Sequence, residues 1–110
     1  MNQTQKEKLL AVVEKDAKIR LKYIDEHGDM CFIGGLLDEI GYKVQSNWGG
    51  TAINRMPRIS RKLEEAYGLS SDEVRMLQRL NDNNISRCAR QNKLRAYINA
   101  LGVDKPENFC

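Results

Sequence analysis

Histidine and cysteine are scarce in this chain of 110 residues, which has one histidine and three cysteines. Cys31, Cys88 and Cys110 form no CxxC pair and no cysteine–histidine cluster with the spacing of a structural zinc site. We therefore expect no metal and no cofactor, with Cys31 and Cys88 buried as reduced thiols and Cys110 exposed. The single histidine, His27, leaves acid–base catalysis by histidine without a second candidate.

Long apolar runs and phosphate-binding loops are also absent. No apolar run approaches the ~18–20 residues of a membrane-spanning helix. Neither Gly34-Gly35 nor Gly49-Gly50 is followed by the Lys-Ser/Thr pair of a phosphate loop, and the sequence has no GxGxxG. The first residues, Met1 to Glu7, are polar, so we expect no secretory signal and a cytoplasmic location.

The composition is that of an ordered, soluble domain, with 41% apolar and 30% charged residues. A chain of this length supports one hydrophobic core. We expect a single domain over residues 1–102, followed by a loose tail over residues 103–110.

The most apolar stretch runs from Met30 to Gly41 and contains two adjacent glycines, Gly34 and Gly35. A glycine inside a helix costs about 1 kcal/mol relative to alanine. Close approach of another backbone would offset that cost, because glycine has no Cβ. The sequence therefore predicts a helix over Met30–Ile40 that forms the hub of the core.

The spacing of apolar residues predicts an all-α fold of about five helices packed around this glycine-containing helix. We expect the other helices over Thr4–Glu26, over Pro57–Tyr67, between a capping box at Ser70 and Glu73 and a turn at residues 81–84, and over Ile85–Leu101.

The first of these helices is predicted to carry two apolar rows, which is more than one small body needs to bury. We therefore expect a homodimer. The rows are Leu10, Val13, Ala17, Leu21 and Ile24 on one side and Leu9, Val12, Ile19 and Tyr23 beside them.

Two blocks of residues resemble a class of short bacteriophage and prophage proteins of uncharacterised function. One is the Cys-x-x-Gly-x-Leu helix at residues 31–36, and the other is Leu80-Asn81-Asp82 at the end of a later apolar helix. With the Tyr67-Gly68-Leu69 turn, they cover residues 30–100. Members often have a Trp/Gly-containing strand before the cysteine block, where this chain has a charged helix. The class has no agreed activity, so the resemblance implies phage origin and a host-cell cytoplasm, not a mechanism.

Positive charge is concentrated in the second half of the chain. Residues 1–50 hold seven Lys/Arg and eight Asp/Glu, whereas residues 51–102 hold ten and five. A basic face of this kind would bind nucleic acid mainly through phosphates, without reading sequence, or would dock an acidic protein. The candidate phosphate contacts are Arg55, Arg58, Arg61, Lys62, Arg87, Arg90 and Lys93, with Arg75, Arg79 and Arg95 as further basic residues.

No catalytic constellation is visible, so we expect a protein that is not an enzyme. His27 and Cys31 lie four residues apart, but Gly28 is predicted to break the helix between them. Because Cys31 begins an apolar run, we expect an inert thiol packed in the core.

The only tryptophan, Trp48, is predicted to lie in a glycine-containing loop, either folded back on the core or exposed for binding. Trp and Arg are the residue types that anchor interfaces. Our favoured hypothesis is a small phage-type accessory protein that binds and modulates a host or phage protein through Trp48, Arg55 and Arg58. Inhibition of a host defence system fits this class. The alternative is a small basic nucleic-acid-binding protein, and an enzyme using carboxylates or Cys31 is a third hypothesis.

Overall fold

The computed structural model describes residues 1–20, 23–42 and 52–102, and for residues 52–57 it describes the helical backbone without the side chains. Trp48 and the tail over residues 103–110 lie outside the described residues. Five α-helices occur in the described ranges, which confirms the predicted all-α fold. They are α1 (Gln3–Lys15), α2 (Phe32–Glu39), α3 (Ala52–Tyr67), α4 (Ser71–Asn83) and α5 (Arg87–Ala100).

Every residue over 32–37 of α2 is buried in the core, as the apolar run predicts. However, α2 packs mainly against α1 and α4, and α5 also packs mainly against α1 and α4, so the helices are not all arranged around α2. A Cβ on Gly34 would fall against the carbonyl oxygen of Tyr23, and a Cβ on Gly35 would fall against the carboxylate of Asp16. Glycine at both positions therefore lets the segment after α1 lie directly on α2.

The start of α2 lies two residues later than predicted. Cys31 is its N-cap, and the Sγ atom of Cys31 accepts a hydrogen bond from the Gly34 amide over 3.3 Å. Met30 instead pairs with Ile24 in an isolated antiparallel bridge. The hydroxyl of Tyr67 in α3 donates to the carbonyl of Leu36 near the other end of α2, over 2.8 Å.

The prediction of a first helix over Thr4–Glu26 is wrong, because α1 ends at Lys15 and Ala17 adopts a left-handed φ of 60°. Side chains of α4 and α5 bind the carbonyl oxygens that a longer helix would use for its own backbone hydrogen bonds. Gln91 donates to Val13, Arg87 to Glu14 and Asp16, Arg90 to Ala17 and Lys18, and Asn81 to Ile19. These tertiary hydrogen bonds override the apolar periodicity of the segment.

This break removes the premise of the predicted homodimer. The two apolar rows do not lie on one helix, and Leu9, Val12, Val13, Ala17 and Tyr23 are all buried within the single chain. The homodimer therefore stays a prediction without the surplus apolar surface that motivated it.

The capping box before α4 is confirmed, with Ser70 and Glu73 exchanging hydrogen bonds of 2.8 and 3.1 Å. However, α4 continues to Asn83, so the predicted turn at residues 81–84 begins too early. The reason is that Asn81 is a core residue: its Oδ1 accepts from the Phe32 amide over 3.1 Å, and its Nδ2 donates to the Ile19 carbonyl.

The predicted bounds of α3 and α5 also shift. α3 begins at Ala52, so Pro57 lies in its interior instead of its first turn, which removes one backbone hydrogen bond because proline has no N–H. α5 begins at Arg87, and Ser86 is its N-cap. Over the described ranges, none of the helices is both long and apolar enough to cross a membrane.

Candidate binding surfaces

The outward side of α3 carries three cations. Arg58, Arg61 and Lys62 are exposed there, while Ile59 and Leu63 on the opposite side are buried. None of the three cations has a hydrogen bond or an ion pair with another described residue. We name these three residues the α3 basic face.

Two further charged residues, Glu65 and Arg55, lie on α3 near this face. Glu65 is exposed one helical turn beyond Arg61, so the face includes one negative charge. Arg55, which is predicted to contact a partner, lies in α3, but the structure describes only its backbone.

The prediction that Arg90 contacts phosphate is wrong, since only 4% of this residue is exposed. Its guanidinium donates to four carbonyl oxygens, those of Ala17 at 3.1 Å, Lys18 at 3.0 Å, Asn84 at 2.9 Å and Ile85 at 2.6 Å. Burial lowers the pKa of Arg90, and the nearby charges of Arg20 and Arg87 lower it further. Only arginine offers enough donors in one plane to satisfy this set of carbonyls.

Two further cations of α5 are occupied by the fold. The exposed Arg87 places one nitrogen 3.2 and 3.3 Å from the carbonyls of Glu14 and Asp16. Arg95 pairs with the Glu14 carboxylate at 2.6 Å. Of the α5 cations, Lys93 alone is exposed and has no polar partner among the described residues.

On α4, Arg75 lies 3.9 Å from Asp72 on the surface, and such an exposed pair contributes little to stability. Arg79 is exposed and has no polar partner in the described ranges. The nine predicted basic residues with described side chains therefore divide into cations that bind other parts of the chain and cations that have no polar partner in the described ranges.

The thiol of Cys31 is packed in the core as predicted. Burial raises its pKa to about 12, so the reactive thiolate is negligible near neutral pH. His27 is exposed, and its ring lies 3.8 Å from the Glu26 carboxylate. Cys88, predicted to be buried, is exposed on the outer side of α5, and Cys110 lies outside the described residues.

Asp16 is a buried carboxyl group that the sequence did not single out. It is 4% exposed, and its Oδ2 atom has no hydrogen-bond partner among the described residues. Burial raises the pKa of Asp16, and the positive charge of Lys15 partly opposes this effect. Within the described ranges, no group of three or more Asp, Glu, His or Cys residues could hold a metal ion.

Ile85 is a second residue whose placement differs from the prediction, which makes it the first residue of the last helix. The structure leaves it 79% exposed. Ile85 precedes the N-cap Ser86, a position that often packs against the fourth helical residue, here Arg90. Arg90 is directed at backbone carbonyls instead, so Ile85 has no apolar partner there.

Comparison with known proteins gives no relative: no family model, no curated protein and no solved structure matches this chain.

Proposed function

We propose that this chain is a small, phage-type accessory protein that binds and modulates a host or phage protein in the host-cell cytoplasm, without catalysis. The observation that carries the proposal is the α3 basic face. Its three exposed cations have no partner among the described residues, whereas Arg87, Arg90 and Arg95 are held by the fold. Complementary charge of this kind steers association and fixes the choice of partner.

An acidic protein surface fits the α3 basic face better than nucleic acid does. One of the seven candidate phosphate contacts is lost because Arg90 is buried, and the other six are divided between α3 and α5. Each phosphate contact adds about 0.9 to the slope with which the logarithm of the binding constant falls against the logarithm of the salt concentration. Three cations therefore give only weak, nonspecific affinity for a duplex.

Trp48 and Arg55 remain proposed anchors of the same partner. Trp48 precedes the start of α3 by four residues, so both belong to the segment that leads into the α3 basic face. We expect Trp48→Ala to abolish partner binding with little change in thermal stability. A large loss of stability would instead assign Trp48 to the core. Inhibition of a host defence system fits this proposal.

The test is an affinity purification of tagged protein from host lysate, with and without nuclease. Three forms are compared: the wild type, the α3 variant Arg58→Glu/Arg61→Glu/Lys62→Glu, and the control Arg75→Glu/Arg79→Glu/Lys93→Glu, which has the same charge change on other helices. We expect the wild type and the control to retain a stoichiometric protein after nuclease treatment, and the α3 variant to lose it.

Two results would contradict the proposal. If the bound material absorbs at 260 nm and disappears with nuclease, the nucleic-acid alternative takes its place. If both variants lose the partner equally, binding depends on net charge and not on the α3 basic face.

A further inference from the structure

We propose that the turn between α4 and α5 is a separate protein-docking surface. In this proposal, Ile85 inserts into an apolar pocket on the partner protein, and carboxylates of the partner surround that pocket. This surface comprises residues 84–86 with Arg20 and Arg87 beside them, and we name it the Ile85 turn. It does not depend on the α3 basic face.

The backbone of the Ile85 turn is fixed by hydrogen bonds. One Arg90 nitrogen binds the carbonyls of both Asn84 and Ile85, at 2.9 and 2.6 Å. The Asn84 side chain donates to the Leu80 carbonyl over 2.6 Å, and the Ser86 hydroxyl accepts from the amide at position 89. A turn held in this way loses little conformational freedom on binding, which favours affinity.

The fixed turn presents an apolar side chain to solvent. Ile85 is 79% exposed, whereas Ile40, the other exposed large apolar residue in the described ranges, is 38% exposed. A single exposed apolar residue is ordinary on a protein surface. Ile85 differs because a buried arginine is used to shape the backbone that holds it outward.

The border of the Ile85 turn is positively charged. Arg20 is exposed and binds the Asp82 carbonyl over 2.8 Å, and Arg87 is exposed on the first turn of α5. Within the described ranges, each arginine uses one terminal nitrogen of its guanidinium for main-chain carbonyls: Arg20 for that of Asp82, and Arg87 for those of Glu14 and Asp16. Arg20, Arg87 and the half-buried carboxylate of Asp82 all lie near Arg90, whose guanidinium holds the turn, so the border has a net positive charge. An apolar centre with arginines at its border matches an acidic rim around an apolar pocket.

Other occupants fit this surface less well. A second copy related by a two-fold axis would bring Arg20 and Arg87 against the same two cations. A nucleic acid would need a longer row of free cations to hold its phosphates.

The experiment places the photo-cross-linker p-benzoylphenylalanine at position 85 of the tagged full chain, with position 40 as the matched control. Irradiation is carried out in host lysate, and unlabelled wild type, Ile85→Ser or Ile40→Ser is added as a competitor. We expect a protein adduct from position 85 and none from position 40. Wild type and Ile40→Ser should suppress this adduct, and at least tenfold more Ile85→Ser should be needed for equal suppression.

Every other result overturns the proposal. An adduct that nuclease removes would indicate a nucleic acid, and one of twice the chain mass would indicate a second copy. No adduct, or equal suppression by Ile85→Ser, would show that Ile85 anchors nothing. Because Ile85 is exposed, its serine variant should unfold at the same urea concentration as the wild type, and an earlier transition would assign Ile85 to the fold.

Discussion

The Nε atom of Arg90 donates a hydrogen bond of 3.1 Å to the carbonyl oxygen of Ala17. Ala17 is the one residue other than glycine with a positive φ in the described ranges. An L-residue in this conformation costs about 1–2 kcal/mol, so the turn that ends α1 depends on contacts outside itself. Arg90 supplies them from a helix more than 70 residues further along the chain.

Replacing Arg90 with alanine should destabilise the fold strongly. The change would leave four carbonyl oxygens without their donor, one in a buried hydrogen bond and three in partly buried ones. We expect a loss of about 3 kcal/mol or more in the free energy of unfolding, measured by urea denaturation. Lys93→Ala on the same helix should change it by less than about 0.5 kcal/mol. Equal effects would show that the Arg90 hydrogen bonds contribute nothing.

The end of α1 shows why part of the fold could not be predicted. The helix count, the all-α class and the close approach at Gly34 and Gly35 follow from local patterns, and the structure confirms them. The apolar spacing after Lys15 is equally helical. What ends the helix there is a set of donors on α4 and α5, and no local pattern reports them.

The basic residues show the same limit. Arg90 and Lys93 are both charged residues of α5, and composition alone treats them alike. One signal was available: Arg90, Leu94 and Ile98 follow one another at intervals of four, so a single helix face carries all three, and the structure buries them all. The exposure of Ile85 had no such signal, because it depends on where Arg90 points.

Gly34→Ala should be among the most destabilising substitutions in the chain. Its Cβ would fall against the carbonyl oxygen of Tyr23 and within 3.0 Å of the carbonyl carbon, and backbone atoms cannot move aside cheaply. We expect a loss of about 3 kcal/mol in urea denaturation. Gly102→Ala is the control, because a Cβ there meets nothing within 4 Å. A neutral Gly34→Ala would mean that the Tyr23 segment does not lie on α2.

Asp16→Asn should stabilise the protein at neutral pH. Burial raises the pKa of Asp16 above the value of 3.8 for an unfolded chain, and the charges of Asp38 and Glu39 also raise it, while Lys15 and Lys18 lower it. The folded state therefore binds the proton more tightly than the unfolded state does. Burying the charged carboxylate therefore costs free energy of folding. This cost is absent below the pKa of Asp16 in the unfolded chain, develops as pH rises toward the pKa in the folded protein, and is complete above that pKa.

The asparagine variant lacks this cost, so it should be more stable than the wild type in urea denaturation at pH 7, and this advantage should shrink as pH falls toward 3.8. Asp38→Asn removes an exposed carboxylate nearby and should change stability by less than about 0.5 kcal/mol at pH 7. An advantage of Asp16→Asn that is constant with pH would show that the Asp16 carboxylate is not the source.

The two described cysteines should differ sharply in reactivity. In a Cys110→Ser background, a water-soluble thiol reagent such as dithionitrobenzoate should modify Cys88 at once, because it is exposed on α5. Cys31 should react only as fast as the protein opens, because it is 4% exposed and burial raises its pKa to about 12. Adding Cys88→Ser should remove the fast phase of modification, that of Cys88, and leave the slow phase, that of Cys31.

Urea should accelerate the slow phase in parallel with unfolding, since the Cys31 thiol also caps α2 and becomes accessible only when that helix leaves the core. Two fast phases in the native protein would instead mean that the start of α2 is open to solvent.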